Sequence, residues 1–215
     1  TVGKGANSVA TNTALGVNAL TSATTGVRNT AIGSGTLDAL TTADNNIAIG
    51  DQALGANVTG SNNVAIGRNA MIVSTGADNN TAVGRSALQQ NAAGNNTAVG
   101  RDALAANTTG TRNIAVGGLA LDANTTASDN VAMGYAAGGA ITTGAENVTV
   151  GNYAGDANVT GNYNVAMGHG ALGANTASNN TAIGRKALLN NSTGTQNVAL
   201  GGEALEANTT GNYNV

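Results

Sequence analysis

A 215-residue chain with no Phe, Trp, Pro or Cys, four Tyr and 32 Gly cannot build an ordinary aromatic-filled core, and disulfide and thiol chemistry are excluded. With 9% charged and 41% hydrophobic residues it is not charge-driven disorder, and a net charge of −3 leaves no basic face for nucleic acid. No apolar run reaches membrane-spanning length, so no membrane insertion is expected. Ala, Asn, Thr and Gly can instead fill a thin, repetitive structure. The chain starts at Thr1 with neither initiator Met nor signal peptide, and reads as a processed chain or an excerpt.

Taken in chain order, the recurrent feature is a Gly that closes a small–aliphatic pair: Gly3, Gly16, Gly33, Gly50, Gly67, Gly84, Gly100, Gly117, Gly134, Gly151, Gly168, Gly184 and Gly201. The step is 17 residues nine times, 16 twice and 13 once. Four residues before each of these glycines from Gly16 onward stands Asn: Asn12, Asn29, Asn46, Asn63, Asn80, Asn96, Asn113, Asn130, Asn147, Asn164, Asn180 and Asn197. Two residues before stands Ala14, Ala31, Ala48, Ala65, Ala82, Ala98, Ala115, Ala132, Ala166, Ala182 or Ala199, with Thr149 the exception. Three residues after comes Ala, with Thr36 the exception. A fixed period of this kind is the signature of a repeat architecture. The 16-residue steps end at Gly100 and Gly184, 84 residues apart, and residues 17–50 match 101–134 at 18 of 34 positions, so a five-coil block reads as duplicated.

Each repeat is too short for two helices, and stretches such as Asn63-Val64-Ala65-Ile66-Gly67 alternate with period two. The pattern predicts an all-β fold: a parallel β-solenoid of about 13 coils, one continuous region over 1–215. Strands pair with their equivalents one coil away at about 4.8 Å, and the Asn side chains stack into amide ladders. The aliphatic residues one and three before each Gly are expected to point inward. A second extended segment is expected to carry Leu20, Leu54, Leu88, Leu104, Leu172, Leu188 and Leu205 inward. The alanines two before each Gly would then face outward, and a uniformly small outer face predicts lateral packing of another copy, most simply a closed cyclic oligomer.

The pattern N-[STV]-x-A-[IV]-G-x-x-A resembles the head repeat of YadA-like trimeric autotransporter adhesins, and the "NNTAIG" β-roll repeats of phage tail fibres. The resemblance covers essentially the whole chain. It implies a left-handed parallel β-roll, a homotrimer, and an extracellular stalk or head on a cell surface or virion. The adhesin coil is a few residues shorter, and only the step from Gly3 to Gly16 approaches it.

Chemistry-bearing constellations are absent from the sequence. His169 is solitary and follows a repeat Gly where other coils carry Arg68, Arg85, Arg101 and Arg185, so it reads as an exposed loop residue. The carboxylates Asp38, Asp44, Asp51, Asp102, Asp122, Asp129, Asp156, Glu203 and Glu206 are scattered and lack the Gly-Gly-x-Gly-x-Asp calcium pattern. The Asn-Thr-Thr sequons at 107–109, 124–126 and 208–210 follow from the repeat. Tyr135, Tyr153, Tyr163 and Tyr213 read as solvent-edge residues. No catalytic residue, cofactor or metal is expected. The expected function is a structural fibre or stalk, of an adhesin or tail fibre, with itself as partner and a cell-surface receptor or glycan as target; the alternative is an ice- or glycan-binding module. The terminal residues Asn214-Val215 and Thr1-Val2-Gly3, read end to start, restore Asn-Val-Thr-Val-Gly and a 17-residue step. That match predicts a longer fibre, or copies stacked head to tail into a filament.

Overall fold

The structure, a computed structural model, describes residues 2, 3, 9 and 11–215. It is an all-β parallel β-solenoid of about eleven turns with a ~17-residue period and no helix among the described residues. The chain divides into two compact units, Thr1–Thr109 and Gly110–Val215. The first holds β1 (Val2–Gly3), β2 (Thr13–Leu15), β3 (Thr30–Ile32), β4 (Ile47–Ile49), β5 (Val64–Ile66), β6 (Thr81–Val83) and β7 (Thr97–Val99). The second holds β8 (Ile114–Val116), β9 (Val131–Met133), β10 (Val148–Val150), β11 (Val165–Met167), β12 (Thr181–Ile183) and β13 (Val198–Leu200).

Within each unit the strands pair in parallel with their equivalents one turn away: Ala48 lies opposite Ala65 in the first, and Ala132 opposite Thr149 in the second. β1 is different. It runs antiparallel to β2, with Val2 opposite Leu15 and Gly3 opposite Ala14. Gly3 therefore does not close a coil of the repeat. A parallel return requires a full circuit of the chain, and the 13 residues from Gly3 to Gly16 are four short of the usual 17.

The faces of the strands are the reverse of the expectation. The alanines at 14, 31, 48, 65, 82, 98, 115, 132, 166, 182 and 199 point into their own coil and are 0–6% exposed. Ala14, Ala31, Ala48, Ala65, Ala82, Ala98, Ala115, Ala132, Ala166, Ala182 and Ala199 are thus interior residues, not an intersubunit surface. The branched residues on either side face outward, with Leu15, Ile47, Ile114, Met133 and Leu200 at 41–76% exposure. Alternation tells that a strand has two faces, not which one is inside. Here the opposite wall decides. In most turns a Leu four residues after the repeat Gly projects across the narrow coil; a Cβ built at Gly155, which occupies that position in its turn, would lie 4.0 Å from the Ala166 Cβ. With Leu37, Leu54, Leu88, Leu121 and Leu188 fully buried on that wall, only Ala fits on the strand.

The leucine wall is a turn, not a strand. Leu54, Leu88, Leu104, Leu172 and Leu188 all hold φ near 51°, a left-handed conformation that costs roughly 1–2 kcal/mol for an L residue. Burial of the whole side chain, worth about 1.5–3 kcal/mol, offsets it. The repeat Gly has a separate requirement: at Gly67 φ is 137°, and a Cβ would stand 2.4 Å from the carbonyl oxygen of Gly84 in the next turn. The same logic explains the Thr149 exception. Its larger side chain is buried, and the wall opposite carries Gly138 and Gly155 instead of Leu; a Cβ at Gly155 would meet Thr149 Cγ2 at 2.8 Å.

Candidate functional site

Polar side chains in the interior of each unit form two columns. The strand column contains all twelve asparagines named from the spacing, each at most 4% exposed. Asn46 shows the pattern. Its backbone N–H donates to Asn29 Oδ1 at 2.9 Å, its own Oδ1 accepts the N–H of Asn63 at 3.0 Å, and its Nδ2 donates to the Gly60 carbonyl at 2.9 Å. Each amide therefore ties one turn to the next. Asn214 continues the column, donating its N–H to Asn197 Oδ1 at 3.0 Å.

The second column escaped the sequence reading, although an Asn recurs seven residues after most repeat glycines. It comprises Asn57, Asn91, Asn107, Asn124, Asn158, Asn175, Asn191 and Asn208. These amides close a local turn: Asn158 Oδ1 accepts the Gly161 N–H at 2.8 Å, and its Nδ2 donates back to the Gly161 carbonyl at 3.0 Å. Asn107 and Asn124 are fully buried, which removes these two sequons from solvent in the folded chain.

The surface chemistry lies on the turn after each repeat Gly. His169 is exposed, as are Arg68, Arg85, Arg101 and Arg185. Most acids reach a partner, often one turn away. Arg112 forks onto Asp129 at 2.7 and 2.8 Å, Arg85 meets Asp102 at 3.0 Å, and Arg185 pairs with Glu203. The hydrogen bond from Arg112 holds the Asp129 carboxyl below its ordinary value and raises the Arg112 guanidinium.

Two features of this edge were not visible as such in the sequence. Tyr135, Tyr153 and His169 sit on three successive turns, with ring centres 5.6 and 6.0 Å apart and both pairs edge-to-face. Acids five residues after the repeat Gly also lie beneath a glycine of the next turn: Asp38 under Gly55, Asp122 under Gly139, Asp156 under Gly173, with a Cβ on the glycine falling 3.3–3.7 Å from the carboxylate oxygen. In the first unit this opens a cavity of about 250 Å³ lined by Gly35, Asp38, Ala39, Gln52, Gly55, Ala56 and Ile72. Among the described residues no group of three or more His, Cys, Asp or Glu could hold a metal ion, and no helix is long and apolar enough to cross a membrane. Comparison of the chain with protein-family models, curated proteins and solved structures returned no match.

Proposed function

We propose that this chain is a structural fibre or stalk segment of an extracellular surface adhesin or phage tail fibre, a left-handed roll that associates side by side with copies of itself, most simply as a homotrimer. The carrying observation is the outward face of the strands. In the second unit it presents Val, Ile, Met or Leu at eleven of twelve positions from Ile114 to Leu200, with Thr181 the exception. Ile114, Met133, Met167, Ile183 and Val198 are 38–45% exposed there. A contiguous aliphatic sheet face of this kind marks an interaction surface, and identical faces around a common axis would cover one another. The interior supports a mechanical role, because turns locked by backbone and amide bonds need no ligand. On this reading the chain is not an enzyme and carries no cofactor.

The test is Met133→Lys with Met167→Lys. Both side chains are half exposed, so the coil should keep its circular dichroism while the assembly falls to monomer in gel filtration. An assembly of unchanged size would overturn the reading. The ice-binding alternative requires rows of Thr on the outer face. No strand of either unit has Thr at both outward positions, so the purified chain should show no thermal hysteresis.

A further inference from the structure

We propose that the turn edge of the second unit around Tyr153, Asp156, Gly170 and Gly173 is a saccharide-binding site that takes one pyranose ring of a neutral oligosaccharide. Three observations carry it. Tyr153 is flanked edge-to-face by Tyr135 on one side and His169 on the other, and still exposes 43% of its surface. The neighbours restrict its rotamer, so little side-chain entropy is lost when a ligand lands on it. A pyranose presents just such a partner, an apolar C–H face to lie on a ring and hydroxyls at its rim.

The second observation is a carboxylate that the fold leaves unused. Most other acids pair with Arg, Lys or a backbone amide one turn away. Asp156 bonds only its own backbone amide, and burial raises its carboxyl above the ordinary value. Three residues after Tyr153 on the same turn, it can accept hydrogen bonds from two vicinal hydroxyls, the charge-assisted kind that orients a ligand.

The third is room. At Gly170, on the turn next to Tyr153, a Cβ would lie 3.7 Å from Leu189 Cδ1 and 3.9 Å from Lys186 Cγ, so this glycine leaves space beside the ring, whereas at Gly173 a Cβ would meet Leu189 Cδ1 at 2.8 Å and that side chain closes the space there. The backbone does not demand glycine at this position, since Ile72 and Leu189 stand there in other turns. Glycine nevertheless stands above Asp38, Asp122 and Asp156 alike, so that residue places no side chain of its own over the carboxylate.

The experiment titrates the purified chain with maltohexaose, cellohexaose, mannohexaose and N-acetylchitohexaose. The readout is tyrosine fluorescence, which no Trp obscures, together with ring-resolved NMR. Saturable binding of at least one sugar is expected, with Tyr153 ring signals shifting and Tyr213 signals still. Tyr153→Ala should weaken it about tenfold and Asp156→Asn about fivefold, while Tyr213→Ala should bind as the parent does. All three positions are on the surface, and unchanged circular dichroism checks their folding. The proposal is overturned if none of the four sugars binds, or if Tyr153→Ala and Asp156→Asn bind as tightly as the parent.

Discussion

Within each unit the two asparagine columns share the same interior, yet one is unbroken and the other is not. The strand column is Asn in every turn. The second is interrupted by Ala23, Leu40, Ser74 and Ile141. The difference lies in whom each amide serves. A strand-column Asn accepts a backbone N–H from the next turn, as Asn130 does for Asn147 at 2.9 Å, and donates to a carbonyl fourteen residues on, Gly144, at 2.9 Å. Removing it orphans groups on another turn, which have no alternative. A second-column Asn closes its own turn and in places also bonds the Asn of the neighbouring turn, as Asn191 Nδ2 does to Asn175 Oδ1 at 2.9 Å, but the backbone N–H that it serves lies in its own turn and has a substitute. Where Ala23 and Ile141 replace Asn, the N–H of Gly26 bonds Thr41 at 3.2 Å and that of Gly144 bonds Val159 at 3.3 Å. Interior polarity is thus obligatory only where it holds backbone groups of another turn.

This contrast can be broken in graded steps. The largest effect is expected from Asn130→Asp, which keeps the shape but buries a carboxylate and removes the donor to Gly144. The loss should be about 4 kcal/mol at neutral pH. Burial raises the folded-state carboxyl above its unfolded value, so the damage should be least below the unfolded pKa and grow as pH rises through the folded one; urea melts at acid and neutral pH read this out. Asn130→Ala follows, at about 2–3 kcal/mol at any pH, because the Asn147 N–H and the Gly144 carbonyl lose their partner.

Asn158→Leu should cost less than about 1.5 kcal/mol, since Leu40 and Ile141 already occupy that column and the Gly161 N–H can turn to the next turn's carbonyl. A loss equal to that of Asn130→Ala would erase the distinction between the columns. The smallest change is expected at Arg112→Ala, where a fork between exposed side chains is lost. The Asp129 carboxyl is held low by Arg112, so its contribution is present above the unfolded carboxylate pKa and fades as pH falls through the folded value. Parent and variant should therefore converge in acid and in high salt.

Period, strand positions and the strand Asn column were legible because they depend on backbone repetition, and repetition is visible in one dimension. The orientation of the strand was not. Ala48 and Ile49 alternate equally well either way round, and only the leucine wall across the coil settles that Ala48 is inside. Nor could the sequence reveal that Leu54 sits in a left-handed turn, since its burial, not its propensity, sustains that conformation. The Tyr135–Tyr153–His169 line was hidden for another reason. Tyr135 and His169 follow the repeat Gly by one residue and Tyr153 by two, so no single column contains all three. The side chains meet because their lengths cover that offset.

The assembly itself is the most direct test. Sedimentation equilibrium of the purified 20.7 kDa chain should give three times the chain mass, held as the protein is diluted, because in the proposed trimer other copies cover the outward aliphatic face of the strands. A particle of single-chain mass that stays soluble at high concentration would contradict the account, since that face would then stand bare in water.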